Sequence, residues 1–107
     1  MNLTLLKGYP DRVGKRNIFC ASTVGPTSYN TTTKDVVATP AFQFYLDAIF
    51  PAMTVSGTYL VTFVPSAGGA RPTWKAVWWT ASGMTEVANT TNLSAETVQI
   101  GGFGGFY

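Results

Sequence analysis

Thr58-Tyr59-Leu60-Val61-Thr62-Phe63-Val64 and Thr73-Trp74-Lys75-Ala76-Val77-Trp78-Trp79-Thr80 decide the fold. Both runs are dense in β-branched and aromatic side chains, which lose rotamer freedom against a helical turn and fit a pleated, half-buried surface. Each reads as a strand. The connection Pro65-Ser66-Ala67-Gly68-Gly69-Ala70-Arg71-Pro72 holds two prolines that cannot donate to a ladder and two glycines that accept positive φ, so the runs should pair as an antiparallel hairpin with a long loop. Alternation puts Trp74, Ala76 and Trp78 on one face and Lys75, Val77 and Trp79 on the other, while Tyr59, Val61 and Phe63 oppose Leu60, Thr62 and Val64. Neither face is polar. The hairpin is therefore expected to be covered on both sides, by the rest of the chain or by a neighbouring molecule.

Downstream, Ala81-Ser82-Gly83-Met84 reads as a turn and Thr85-Glu86-Val87 as a short strand. Leu93 should anchor the Asn89-Thr90-Thr91-Asn92 loop, and Thr97-Val98-Gln99-Ile100 should close the meander with Val98 and Ile100 inward. In the last seven residues, 101–107, glycines alternate with Phe103, Phe106 and Tyr107. Glycine-rich backbone is costly to order, and aromatics left in water are a liability, so this tail is expected to seat in a neighbouring subunit rather than in the domain's own core.

Upstream, Thr39-Pro40 and Phe50-Pro51 bracket a stretch in which Phe42, Tyr45, Leu46, Ile49 and Phe50 follow helical spacing, with Thr39 as N-cap and Pro40 at the first helical position. This favours one short helix with Asp47 facing solvent; the competing reading is a strand through Phe42, Phe44 and Leu46. The segment 24–35 lacks periodicity and reads as an extended surface loop. Residues 1–17 read as a basic arm or hairpin, with Gly8, Pro10-Asp11 and Gly14 as punctuation. Lys7, Arg12, Lys15 and Arg16 against Asp11 give it +3, while the remaining residues sum to −1. Such an arm is either a solvated loop or a contact for an acidic surface, on whose carboxylates arginine can fork.

The 107 residues imply a single domain, 1–107, able to bury about two thirds of its unfolded surface. Charged residues are only 11%, aromatics 14% and the net charge +2, too apolar for disorder and too weakly charged for binding nucleic acid through its phosphates. Apolar runs are too short for a signal peptide or a membrane helix, so a soluble chain made in a cytoplasm is expected. The absence of histidine removes the commonest metal ligand and general base, and Cys20 lies in the apolar run Ile18-Phe19-Cys20-Ala21, which reads as a buried, inert thiol. A carboxylate pair drawn from Asp11, Asp35, Asp47, Glu86 and Glu96 is the one acid-base arrangement left open. No cofactor is expected.

Three short patterns stand out: Gly14-Lys15-Arg16 at a hairpin turn, Thr39-Pro40-Ala41 before the proposed helix, and the Lys-Ala step of Trp74-Lys75-Ala76. A fourth is longer, Glu86-Val87-Ala88-Asn89-Thr90-Thr91-Asn92-Leu93-Ser94-Ala95-Glu96-Thr97-Val98-Gln99-Ile100-Gly101. In this order the features resemble the small β-rich cement, or decoration, proteins on the capsids of tailed bacteriophages. The more aromatic central hairpin and the Gly-Phe-Gly-Gly-Phe-Tyr tail depart from that pattern. The resemblance implies a non-catalytic virion protein, made in the host cytoplasm, that binds the outer capsid surface between subunits of the major capsid protein and stabilises the shell, as a dimer or trimer.

The composite expectation is an all-β chain, a small antiparallel β-sandwich or partly open barrel with one short helix and an extended N-terminal arm. Partner contacts are assigned to Lys7, Tyr9, Arg12, Lys15 and Arg16 of the arm and to Phe103, Phe106 and Tyr107 of the tail. No nucleic acid or membrane partner is expected. Two other functional classes fit the composition: a carbohydrate-binding β-sandwich that stacks sugars on Tyr59, Trp74, Trp78 or Trp79, and another phage structural component of tail or connector.

Overall fold

Between Arg16 and Val24, Asn17, Phe19, Ala21 and Thr23 are buried and the residues between them are not. This period of two marks a strand with one core face, and the first sheet assembles on it. The structure, a computed structural model, describes residues 1–38, 44–65 and 73–106, without the side chains of Phe44 and Phe106. These form nine strands: β1 (Thr4–Leu5), β2 (Asp11–Val13), β3 (Arg16–Val24), β4 (Asp35–Val36), β5 (Phe44–Ile49), β6 (Ala52–Met53), β7 (Tyr59–Pro65), β8 (Trp74–Thr80) and β9 (Thr97–Phe106). No helix occurs among the described residues.

Two antiparallel sheets result. One runs β1-β3-β9-β5, with β2 also on β3; the other runs β4-β8-β7-β6. The expected hairpin is the centre of the second, with Val61 opposite Trp78 and Phe63 opposite Ala76. Its inner face meets Phe19, Ala21, Val98 and Ile100 of the first sheet in one apolar cluster, closed by Leu3, Tyr29, Val87 and Leu93 from the connections. Trp78 is fully buried at the middle of this core. Truncating such a side chain to alanine costs about 3–5 kcal/mol.

Backbone bonds sew the sheets together at both margins. Asn2 bridges Ala38, with the Leu3 N–H donating to the Ala38 carbonyl at 3.1 Å. On the other side Thr54 bridges Val98, and the Val55 N–H donates to the Thr97 carbonyl at 2.8 Å. One gap in the β8 ladder is filled by a side chain: the buried Tyr29 hydroxyl accepts from the Trp78 backbone N–H at 3.4 Å and donates to Glu86 at 2.8 Å. The loop expected to run over the surface thus delivers a core residue.

Three expectations are corrected. Residues 44–49 are a strand, not a helix; residues 40–43 of the expected helix lie outside the described residues. The helical spacing has a different source. A bulge between Leu46 and Ala48 inserts Asp47 as an extra residue, so Leu46 and Ile49, three apart, both face inward. The glycine-aromatic tail, expected to seat in a neighbouring subunit, belongs to this domain instead: residues 101–106 continue β9, the central strand between β3 and β5. Its glycines are required by close approach. A Cβ on Gly102 would lie 2.9 Å from the Phe19 ring and strike the Ala48 carbonyl, and one on Gly105 would enter the Tyr45 ring. Cys20, finally, is half-buried on the outer side of β3 rather than in the core.

Candidate functional site

Register fixes what the outer face of the five-stranded sheet presents. Cross-strand partners point to the same side, so Ile18 and Phe103 share it, as do Cys20 and Gly101, and Tyr45 and Gly105. Arg16, one residue before the buried Asn17, lies on the same side. Phe50, just beyond β5, meets Phe103 edge-on with ring centroids 5.4 Å apart. Tyr9 hydrogen-bonds with Cys20, and that bond, with charge and burial acting in the same direction, holds its phenol above the usual pKa. Tyr9, Phe50 and Phe103 are 37%, 49% and 38% exposed, which makes them a solvent-facing aromatic surface.

The basic hairpin borders this surface. β2 and β3 pair from Val13–Arg16 onward through a two-residue loop, Gly14-Lys15, in which Gly14 takes φ 61°. Hairpin turns of this length need positive φ, which glycine supplies without a steric penalty. Lys15 therefore stands at the tip. Arg16 crosses β9 to bind Asp47, with the guanidinium Nη1 2.7 Å from the carboxylate, over the glycine backbone at Gly104-Gly105. Four cations of residues 1–17 against Asp11 and Asp47 leave the hairpin end at +2.

Of the residues assigned to partner contact, the structure gathers Tyr9, Arg16 and Phe103 on one face, with Lys15 at its rim. Lys7 is exposed in the turn before Tyr9. Arg12 alternates to the other side of the hairpin, where its Nε donates to the Gly14 carbonyl at 3.0 Å. Phe106 pairs with Phe44 through the backbone, and Tyr107 lies outside the described residues. Sequence reasoning missed Tyr45, Phe50 and Asp47 as members of the face. Alternation from Phe44 would have placed Tyr45 outward, but the bulge hides it.

All five carboxylates are engaged in structure. Asp35 is buried, accepting from the Met1 amino group at 2.7 Å and the Trp78 indole at 3.1 Å. Glu86 takes the Tyr29 hydroxyl and the Lys34 ammonium, Lys34 being the main reason its carboxyl is held below the usual range. Glu96 accepts from Ser56 at 2.8 Å, and Asp11 from the Arg12 N–H at 2.8 Å. No cluster of three or more His, Cys, Asp or Glu side chains among the described residues is placed to hold a metal ion. Of the aromatic residues considered for sugar stacking, Trp78 is fully buried and Tyr59 and Trp74 pack on the core. Only Trp79 faces outward. Comparison of the chain with protein-family models, curated proteins and solved structures found no match.

Proposed function

We propose that this chain is a structural virion protein of the decoration kind, attaching to the outer capsid surface between major capsid subunits and stiffening the shell. The supporting observation is the convergence on one sheet face of residues from the two ends of the sequence: Tyr9 and Arg16 from the arm, Phe103 from the last strand. An aromatic centre with a cationic rim is the composition of a protein-contact surface, where rings supply buried area and rim charges set encounter rate and register. Two sheets around one core, joined at both margins, give a small β-sandwich verging on a closed barrel. That is a rigid base on which to hold such a face. Its partner is an acidic, partly apolar surface of the shell, and the attachment is mechanical rather than chemical.

The test is sedimentation of the purified chain with and without empty heads. Binding should saturate, weaken with added salt, and fall sharply in the Phe103→Ala and Phe50→Lys variants. Heads that never retain the chain at any ionic strength would overturn the reading.

A further inference from the structure

Two glycines of β9 point outward on the five-stranded sheet, Gly101 opposite Cys20 and Gly105 opposite Tyr45. Their surroundings differ. Gly105 is buried, and the Tyr45 ring occupies the place where its side chain would stand. Gly101 reaches solvent instead. Among the described residues, a Cβ built there would have only the Phe19 carbonyl oxygen at 3.2 Å and the Cys20 Sγ at 3.8 Å within 4 Å, so no ring fills the space.

The result is a gap one side chain wide in the aromatic surface. The Phe50 N–H donates to the Gly101 carbonyl at 2.9 Å, which sets Phe50 beside the gap, and Phe103, edge-on to Phe50, stands two residues along β9. On the other side are the Cys20 thiol and Tyr9, which hydrogen-bonds with it. The Gly101 carbonyl and the Tyr9 hydroxyl are thus already engaged, and the walls are rings and sulfur. A polar occupant would give up its hydration for little return, whereas an aliphatic one gains by burial.

We propose that this gap is the anchor point of the contact and receives one aliphatic side chain from the capsid surface, an inference that rests on the proposed function. Charge supplies the second point. Arg16 stands four residues from Cys20 along β3, about 13 Å at 3.3 Å per residue, with Lys15 beyond it at the tip. Asp47 takes one nitrogen of the Arg16 guanidinium, and the remainder faces solvent. The matching shell surface carries an aliphatic side chain and, about 13 Å away, a carboxylate. Anchors seated in close-fitting gaps dominate the energy of an interface, while the contacts around them exclude water. The fixed spacing of the two points sets the register in which the chain docks.

A methyl group at position 101 would press on the Phe19 carbonyl, so the gap is better probed from its wall. Cys20 is the one cysteine of the chain and can be capped on the folded protein. Capping with N-ethylmaleimide should lower retention by empty heads about tenfold or more, the share expected of one buried aliphatic side chain. The much smaller methylthio cap, from methyl methanethiosulfonate, should lower it less. Cys20→Leu, which reaches over Gly101, should act like the bulky cap, with circular dichroism confirming its fold. Chain already bound to heads should be protected from N-ethylmaleimide, as mass spectrometry of the adduct would show. Equal losses with both caps would trace the effect to the Tyr9 bond and overturn the inference, as would a thiol that reacts equally fast free and bound. Heads that refuse Phe50→Lys yet hold the bulky adduct and Cys20→Leu as tightly as the native chain would overturn it while leaving the proposed function standing. Heads that retain no form of the chain would overturn both.

Discussion

Arg16 and Asp47 form an ion pair at 2.7 Å although a whole strand, β9, lies between the strands that carry them. The bulge at Asp47 lets this pair form, because the extra residue re-aims its carboxylate toward β3. The two side chains are 58% and 31% exposed. Exposed pairs contribute about 0–1 kcal/mol, so Arg16→Ala should leave the thermal midpoint almost unchanged. Its effect belongs to binding. Lys15→Ala with Arg16→Ala should weaken attachment to heads and flatten its salt dependence, as titrations at two ionic strengths would show. Unchanged attachment in the double variant would remove the hairpin from the contact.

The tail should behave as core. Deleting residues 102–107 removes the half of β9 that joins β3 to β5, and the truncated chain should lose cooperative unfolding in a thermal melt. The milder Gly105→Ala places a methyl group against the Tyr45 ring and should cost about 1–3 kcal/mol, measured by urea unfolding. A truncated chain that melted like the full one would show that residues 102–106 contribute nothing to stability.

Stability should fall at both ends of the pH scale for reasons lodged in one cluster. Glu86 has its pKa lowered, chiefly by Lys34, so its contribution is complete above the ordinary glutamate range and is lost as pH falls through the depressed value. Tyr29 has its pKa raised, first by burial and then by Glu86, so the folded chain holds its proton more tightly. That contribution is present below the ordinary phenol value of about 10 and is lost as pH rises past it. Urea midpoints against pH should show both limbs. Glu86→Gln should flatten the acid one, and absorbance at 295 nm should show one tyrosine ionising only on unfolding.

Asp35→Ala should be severe. It leaves the buried Trp78 indole N–H and the Met1 amino group without their carboxylate, a loss of about 3–5 kcal/mol of the kind seen when one partner of a buried pair is removed. Near-ultraviolet circular dichroism should report loosening around Trp78. Asp35→Asn, which keeps an acceptor for the indole, should cost less.

What the sequence made legible follows from local physics. Tyr59–Pro65 and Trp74–Thr80 could be paired because composition, alternation and loop chemistry agree there, and Val98, Ile100 and Leu93 were identified as inward because each stands in an unbroken period of two or beside a turn. Leu46 and Ile49 misled because a bulge imitates a helical spacing. Gly101 to Gly105 misled because glycine is unfavourable in an isolated strand, and only Phe19 and Tyr45, far away in sequence, supply the rings that need its absence of a side chain. Tyr29 was hidden in a loop for the same reason, since its partners Trp78 and Glu86 lie about fifty residues downstream. On the candidate face, the cationic turn could be read locally. Its union with Phe50 and Phe103 could not, because it depends on the long-range register of β9.

That register also orders the events of folding. Residues 17–24 have no central partner until residues 97–104 have left the ribosome, whereas β7 and β8 are close neighbours along the chain. Local pairings close quickly and distant ones slowly, so the β7–β8 hairpin should form during synthesis, with β3 waiting for the last strand. During that interval Phe19 and Ala21 stand uncovered, which leaves the nascent chain vulnerable to aggregation until β9 emerges.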